Sequence, residues 1–260
     1  ASNVAIASDN LRLHYERSGA GPALILLAGG LATSSSWGEL PKRFAATHTV
    51  IAVDHRGHGG TPNPAETMSY GRLAEDVVRL VSQLRLRRPA IIGWSDGGQT
   101  AIELVIRYPT LCSAIVVCGV LPRVTEELRS FTRELLCLDS RGQVDFDRRE
   151  AEHPRRLAEM RSTVNPRSKG GWKAVIQQVA NLWLTDYGLT PDRLRRIETP
   201  TLICLGDHDV VRIEEAAEMF RTIERSELCV FPGADHDVPV TRFGIFAETV
   251  LDFLTRWSPE

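Results

Sequence analysis

Short apolar runs, each closed by glycine or aspartate, constrain the fold of this chain more than any other feature of its sequence. They lie at "ALILLAGG" (23–30), "TVIAVDHRG" (49–57), "PAIIGWS" (89–95), "SAIVVCGV" (113–120), "TLICLGD" (201–207) and "ELCVFPG" (227–233). A run that is apolar at consecutive positions, rather than at every second one, is typical of a strand buried on both faces. The runs therefore predict the interior strands of a largely parallel sheet.

Amphipathic segments and an alternating stretch complete the predicted layers. Residues 69–86 and 97–108 have apolar side chains at helical spacing and lie between predicted strands. Near the start, "NVAIAS" and "NLRLHYERS" alternate apolar and polar residues around "DN", which predicts an antiparallel hairpin at one edge of the sheet. The prediction is an α/β fold with a mostly parallel eight-stranded sheet and helices on both faces.

The strand pattern is interrupted once along the chain. It stops after Pro122 and resumes at "TPTLICLGD", and the residues between are rich in Arg and Glu, with Leu, Phe and Trp at helical spacing. We predict a core domain formed by residues 1–122 and 191–260, and an inserted helical cap subdomain formed by residues 123–190.

Charge and hydropathy exclude several classes of partner. The net charge of −2, with basic residues spread along the chain, predicts no nucleic-acid partner. No apolar run approaches the length of about 18 residues that a membrane span needs, and the first ten residues lack the basic and apolar regions of an intact signal peptide. We expect a small-molecule substrate, no membrane partner, and a monomer or homodimer.

The cysteines indicate a compartment. Their number is odd and their spacing fits neither a zinc site nor a redox pair, so free thiols are expected (Cys112, Cys118, Cys137, Cys204 and Cys229). Free thiols are typical of a reducing compartment, and the predicted location is the cytoplasm. No metal or other cofactor is expected.

The segment "PAIIGWSDGGQTAIELVI" (89–106) joins a predicted strand to a predicted helix through Gly-x-Ser-x-Gly. Such a sharp turn strains the serine backbone and exposes its hydroxyl at the carboxyl ends of the strands, where open α/β sheets bind ligands. Gly93, Gly97 and Gly98 leave room for the turn. Ser95 is the predicted nucleophile; the alternative is a glycine-rich turn in which it only caps the helix.

A serine nucleophile needs a histidine base. His236 follows the last predicted strand, at the same sheet edge as the serine, and is the predicted base. His55 and His58, in "DHRGHGG", are the runners-up and are interpreted as loop structure. His14 and His48 are expected at the surface.

The histidine in turn needs an acid that orients it, and "TLICLGDHDVV" offers two. Asp207 occupies the last position of the predicted strand, whereas Asp209 lies two residues into the loop and reaches further toward a neighbouring loop. Asp209 is the predicted acid, and the order along the chain is Ser95, Asp209, His236.

Five motifs in this order resemble those of the α/β-hydrolase superfamily, and the resemblance covers almost the whole chain. They are "ERSGAGPALILLAGG", "VIAVDHRGHGGTP", "GWSDGG", "TPTLICLGDHDVV" and "FPGADH". The resemblance implies the hydrolase fold with a helical cap, and acyl transfer in which Ser95 attacks a carbonyl, His236 moves the proton and Asp209 stabilises the imidazolium. "GWSDGG" is also similar to the elbow of relatives that hydrolyse amino-acid esters.

The resemblance also implies an oxyanion hole. Its two backbone N–H donors would belong to Gly30 and Asp96. Where the family commonly has histidine, this chain has Ala28, so a side chain that helps to hold the loop is missing. Gly29 and Gly30 side by side are expected to make the loop more pliable.

Asp96 has two interpretations. As a carboxylate in the first turn of a helix it gains about 0.3–1 kcal/mol from the helix dipole, which is a sufficient structural reason. Alternatively, it pairs with a cationic group of the substrate, such as an ammonium. Leu31 and Trp94, beside the predicted oxyanion loop and nucleophile, are tentative substrate contacts.

Three further residues receive a structural interpretation. Asp54 and Arg56 are expected to tie their own turn by hydrogen bonds, and Trp37 is expected to be a packing residue. Most apolar residues of the 123–190 segment are expected to form its own core, while a few, unspecified, face the nucleophile.

The sequence leaves three functions open. The first is a serine hydrolase of a small ester, lactone or amide. The second is another enzyme on the same scaffold: a cofactor-free peroxidase, a carbon–carbon hydrolase, a lyase or a biosynthetic cyclase. The third is a small-molecule-binding module.

Overall fold

The computed structural model describes residues 2–6 and 11–257, and its strands form one sheet. The strands are β1 (Ser2–Ile6), β2 (Arg12–Ser18), β3 (Ala23–Leu27), β4 (Thr49–Val53), β5 (Ala90–Trp94), β6 (Ile115–Cys118), β7 (Thr201–Gly206) and β8 (Ser226–Phe231). Their order in the sheet is β1-β2-β4-β3-β5-β6-β7-β8. β2 pairs antiparallel with β1 and β4, and the other pairs are parallel. The predicted mostly parallel eight-stranded sheet is confirmed; the "DN" turn lies outside the described residues.

Helices connect the strands, as the alternating pattern predicts. They are α1 (Leu40–Phe44), α2 (Tyr70–Gln83), α3 (Asp96–Arg107), α4 (Glu126–Leu136), α5 (Phe146–Glu152), α6 (Pro154–Thr163), α7 (Gly171–Leu184), α8 (Pro191–Leu194), α9 (Ile213–Thr222), α10 (Val238–Thr241) and α11 (Phe243–Trp257). Residues 123–190, here called the helical insertion, lie between β6 and β7 and contain α4 to α7.

Alternate residues of the strands pack in two apolar clusters, one on each face of the sheet. In β3, Ile25 and Leu27 pack with residues of α2 and α3, whereas Leu24 and Leu26 pack with residues of α1 and α11. All four side chains are fully buried, and burial of each contributes about 1.5–3 kcal/mol. Helices therefore cover both faces, which is why the strand sequences are continuously apolar.

The helical insertion has an apolar cluster of its own. Val175, Ile176 and Ala180 of α7 are fully buried in it, together with residues of α4 and α6. Within the described residues, no helix is both long and apolar enough to cross a membrane.

The parallel strands bring their following loops to one edge of the sheet. The N–H of Ser95, after β5, donates to the carbonyl of Cys118 at 2.8 Å, and the N–H of Gly119, after β6, donates to the carbonyl of Cys204 at 2.9 Å. The loops after β7 and β8, which carry Asp209 and His236, end at the same edge. Residues that are far apart in the chain are therefore neighbours here.

Candidate active site

Ser95 is a one-residue turn between β5 and α3. Its backbone has φ 54° and ψ −117°, a conformation that costs a non-glycine residue about 1–3 kcal/mol. A Cβ at Gly93 would meet the carbonyl of Gly97, and a Cβ at Gly97 would meet the carbonyl of Leu27, so both positions require glycine. The Ser95 side chain makes no capping hydrogen bond to α3. The interpretation of Ser95 as only a helix cap therefore has no support in the geometry.

His236 and Asp209 form a hydrogen-bonded pair beside this turn. His236 Nδ1 lies 2.8 Å from Asp209 Oδ1, and the carboxylate of Asp209 is fully buried. The carboxylate also accepts the N–H of Val211 at 3.0 Å. Gly119, at φ 65°, lies under the ring, since a Cβ there would be 2.6 Å from His236 Cε1.

Asp207, the other candidate acid, has a different position. Its side chain is partly exposed and accepts the N–H of Ala234 at 3.2 Å, so it fastens the loop that carries His236. The structure brings Asp209, and not Asp207, into contact with His236. Asp209 lies two residues further along the loop than Asp207, and from this position its carboxylate reaches His236.

The pair shifts the titration of the imidazole. Burial alone would lower the pKa of His236, but the hydrogen bond and the negative charge of Asp209 outweigh it, so the pKa is raised above its ordinary value. Asp209 occupies Nδ1, which leaves Nε2 for proton exchange.

Ser95, Asp209 and His236 line one cavity of about 830 Å³. Within the described part of the chain, the Ser95 hydroxyl makes no hydrogen bond, so the structure places serine and histidine in the same cavity without joining them. Catalytic hydrogen bonds of this kind are commonly long in the absence of substrate.

The predicted oxyanion donors flank the serine. A Cβ on Gly29 would lie 3.2 Å from Ser95 Cβ, so the loop after β3 passes directly against Ser95. Asp96 is the first residue of α3, and its N–H therefore has no partner within the helix. A Cβ on Gly30 would meet the carboxylate of Asp96 and the ring of Trp183, which explains the second glycine of the loop.

The turn formed by residues 54–61, here called the 54–61 turn, stands behind this loop. Asp54 ties its own turn, as expected, by accepting the N–H of Gly60 at 2.9 Å, and it also accepts the N–H of Ser34 at 2.7 Å. Arg56 was expected to do the same, and its carbonyl lies 3.1 Å from His58 Nδ1 within the turn; its buried guanidinium, in addition, makes a two-pronged ion pair with Asp76 of α2, at 2.7 Å for each bond. The turn is thereby fixed both to the oxyanion loop and to the core helices.

His14 and His48 were predicted to lie at the surface, but the structure places both of them largely out of contact with solvent. His14 Nδ1 lies 2.7 Å from the carboxylate of Asp54 and its side chain is only 19% exposed, whereas His48 is buried and its pKa is lowered by burial. Both predictions were wrong: His14 pairs with a residue 40 positions away in the chain, and His48 is buried directly before β4 beside Thr47, whose Oγ1 lies 2.8 Å from His48 Nδ1. His55 and His58 are buried in the 54–61 turn, in agreement with their interpretation as loop structure.

The Asp96 carboxylate has two donors that the sequence did not indicate. Tyr70 Oη donates to it at 2.6 Å, and Trp183 Nε1 of the helical insertion at 2.9 Å. Burial raises the pKa of Asp96, and these hydrogen bonds offset only part of the rise. Asp96 therefore connects α2 and α7 next to the nucleophile, a role beyond stabilising its own helix.

The remaining predicted contacts and their neighbours complete the cavity. Leu31 and Trp94, the tentative substrate contacts, line it, and Trp37 is buried against Trp94 with ring centroids 6.0 Å apart. From the helical insertion, the lining side chains are Leu128, Phe131, Leu135, Arg156, Trp183 and Tyr187. Most of them lie on helices, where the sequence gave no signal because pocket and core positions recur at the same spacing.

Candidate metal ligands do not converge in the described residues: no three His, Cys, Asp or Glu side chains form a group that could hold a metal ion. The five cysteines are free thiols. The polar side chains that line the cavity include carboxylates, histidines and hydroxyls, the amide of Gln99 and the guanidinium of Arg156.

Comparison with known proteins agrees with this architecture. Residues 24–249 match the Alpha/beta hydrolase family, and the chain belongs to that family. The human protein named Serine hydrolase BPHL is 26% identical over 262 residues, which cover 97% of this chain and 86% of the relative. The pimeloyl-(acyl-carrier protein) methyl ester esterase of Nitrosospira multiformis is 28% identical over 250 residues, with 86% and 91% covered.

A solved structure gives the same fold. The esterase of Exiguobacterium antarcticum matches 98% of this chain and 100% of its own with a TM-score of 0.79, at 23% sequence identity. The superfamily predicted from the five motifs is confirmed. The named relatives are hydrolases, which supports hydrolase activity for this chain.

Proposed function

We propose that the protein is a serine hydrolase that cleaves a small ester, lactone or amide through an acyl-enzyme on Ser95. The observation that carries the proposal is the buried His236–Asp209 pair, with its Nδ1 to Oδ1 distance of 2.8 Å, in one cavity with a serine held at φ 54°. A strained, partly exposed serine in one cavity with an oriented imidazole is the arrangement that nucleophilic acyl transfer needs.

The proposed reaction has two halves. Ser95 Oγ attacks the substrate carbonyl while His236 Nε2 takes the hydroxyl proton, and the N–H groups of Gly30 and Asp96 stabilise the oxyanion. When the tetrahedral intermediate collapses, the C–O or C–N bond breaks and the leaving group takes the proton from His236. A water molecule then attacks the acyl-enzyme, again with His236 as base, and releases the acid and Ser95.

The cavity supports a small substrate. Its volume of about 830 Å³ lies within the range of about 300–1,000 Å³ typical of small-molecule sites. The helical insertion supplies an apolar wall to it, which agrees with the proposed role of residues 123–190 as a cap that excludes water.

The carboxylate of Asp96 supports a finer proposal, the recognition of a substrate ammonium. Asp96 lines the cavity and directly follows the proposed nucleophile in the chain. Hydrogen bonds from Tyr70 and Trp183 hold its carboxylate in position. A cation bound there would favour the charged form of a carboxyl whose pKa burial raises.

One experiment tests the main proposal. The protein is treated with a serine-directed fluorophosphonate, the labelled peptide is identified, and hydrolysis of short p-nitrophenyl esters is measured with Ser95→Ala as the control. Labelling of Ser95 together with ester turnover supports the proposal. Labelling without turnover would favour another chemistry on the same scaffold, and no labelling would favour a binding module.

A further inference from the structure

His58 makes two hydrogen bonds that fix its protonation state. Its Nε2 lies 3.1 Å from the backbone N–H of Leu31, and its Nδ1 lies 3.1 Å from the backbone carbonyl of Arg56. A backbone N–H can only donate and a carbonyl can only accept, so the ring must carry its proton on Nδ1 and none on Nε2. A doubly protonated ring could not accept the N–H of Leu31.

The N–H that His58 accepts is that of Leu31. Leu31 directly follows Gly30, whose own N–H is the proposed oxyanion donor. Leu31 has φ 55°, an unfavourable conformation for a leucine, and the preceding residues Gly29 and Gly30 have no Cβ to restrict them. A loop of this kind does not hold its own shape. The hydrogen bond from Leu31 to His58 fixes the peptide between Gly30 and Leu31.

A second histidine of the 54–61 turn lies near the other end of the glycine pair. The ring of His55 is buried close to the backbone of Ala28, and burial lowers the pKa of His55 to about 3. Gly29 and Gly30 therefore lie between two points that are each close to a histidine of the 54–61 turn.

His58 is itself held on its other side by the helical insertion. The N–H of Gly59 donates to the carbonyl of Thr163 at 2.8 Å, and the N–H of Asn165 donates to the carbonyl of Gly57 at 2.7 Å. The His58 side chain is buried, and burial lowers its pKa, which favours the neutral ring that the geometry requires.

We infer that His58 is a positioning residue for the reaction: its neutral imidazole holds the Gly30–Leu31 peptide and so aims the Gly30 N–H at the oxyanion. The inference rests on the proposed hydrolysis. It predicts an effect on the transition state rather than on substrate binding, because the oxyanion forms only after Ser95 attacks.

The test compares variants that keep or remove the acceptor. His58→Phe keeps a ring but cannot accept the Leu31 N–H, whereas His58→Gln retains an acceptor of similar reach. We expect His58→Phe to lower kcat about tenfold or more with KM nearly unchanged, since complete loss of one oxyanion donor costs about 10²- to 10³-fold. His58→Gln should recover much of the loss.

A second readout isolates the oxyanion. A trifluoromethyl ketone forms an anionic adduct with the serine, so its affinity should fall in His58→Phe by about the same factor as kcat/KM, while affinity for the product acid stays constant. The matched control is His48→Phe, which removes another buried histidine at the opposite end of β4. It should leave both quantities unchanged.

Several results would overturn the inference. They are an unchanged kcat in folded His58→Phe, a rise in KM alone, an equal effect in His48→Phe, or no recovery in His58→Gln. If His58→Phe does not fold, hydrogen exchange of the Leu31 amide in the wild type tests the inference. Strong protection of this amide supports its hydrogen bond to His58, and free exchange refutes it. A wild type without ester turnover or Ser95 labelling would refute the proposed function instead, and the exchange measurement would still report on this hydrogen bond.

Discussion

The two walls of the cavity are built in different ways. The core wall consists of the loops that follow β3, β5, β6, β7 and β8, where backbone geometry fixes each group: a strained turn at Ser95, Gly119 under the ring of His236, and a buried carboxylate at Asp209. The insertion wall consists of side chains from the helical insertion. Among them, Trp183 donates to both oxygens of the Asp96 carboxylate.

Because the two walls are built differently, we expect the core wall to control turnover and the insertion wall to control substrate preference. Positions on the core wall depend on the backbone, and glycines at 93 and 97 leave no room for a side chain. Positions on the insertion wall depend on rotamers of helical side chains, which can be exchanged without moving the backbone. Changes of Ser95, Asp209 or His236 in the core wall should therefore remove most of the turnover, whereas changes in the insertion wall should alter which substrate is preferred.

The largest expected effect is that of Ser95→Ala. Removal of the proposed nucleophile should lower kcat for p-nitrophenyl esters by about 10⁴-fold or more, since residues of such a triad act as a unit. The melting temperature should change little, because alanine keeps the same Cβ in the same turn. Ester hydrolysis retained by the purified variant would show that the core wall carries no nucleophile at this position.

Asp209→Asn should lower kcat by about 10³- to 10⁴-fold, because the imidazole loses the group that orients it. The acidic limb of the pH–rate profile should also move to lower pH. Asp209 raises the pKa of His236 against the effect of burial, and a base with a lower pKa stays neutral, and active, in more acidic solution.

Asp207→Asn is the matched control for this change. The Asp207 side chain is partly exposed and contacts the N–H of Ala234, not His236, so turnover and the pH profile should stay close to those of the wild type. Equal losses in the two variants would mean that the acid of the core wall has been misassigned.

Asp96→Asn should change selectivity, with an intermediate effect. The wild type should prefer an aminoacyl ester to its N-acetyl analogue, and the variant should lose about tenfold of that preference in kcat/KM, the size expected for a hydrogen bond to a charged group. Tyr70→Phe removes a donor to Asp96 but keeps its charge, so the preference should persist. An equal preference in wild type and Asp96→Asn would eliminate ammonium recognition.

The smallest expected effect lies on the insertion wall. Phe131 is 41% exposed and lines the cavity, so Phe131→Ala should raise KM about two- to fivefold for esters with long acyl chains and leave kcat unchanged. Phe220→Ala removes a phenylalanine of similar exposure outside the cavity and serves as the control. A large fall in kcat for Phe131→Ala would contradict the separation of the two walls.

The core wall could be predicted from the sequence because its signals are local. The turn at Ser95 needs small residues at fixed offsets, and the strand before it must be apolar on both faces. Asp209 and His236 follow strands that end at the same sheet edge, so the order of the strands was enough to bring them together.

The support behind that wall could not be predicted, because it depends on contacts between distant segments. His14 of β2 was expected at the surface, yet it pairs with Asp54, directly after the neighbouring strand β4, and the guanidinium of Arg56 binds Asp76 of α2. A polar residue has the same local sequence pattern whether it faces water or a buried partner.

The sequence by itself determined the sheet, the sharp turn at Ser95 and the placing of Asp209 and His236 after strands that end at the same edge, because strand periodicity and glycine spacing are properties of neighbouring residues. Only the tertiary structure decided what holds the site. Tyr70 and Trp183 donate hydrogen bonds to Asp96, and Leu31 donates one to His58. Each of these bonds joins segments that are dozens of residues apart in the chain. Such contacts are selected by the burial of polar groups, which must find partners wherever the packed chain supplies them.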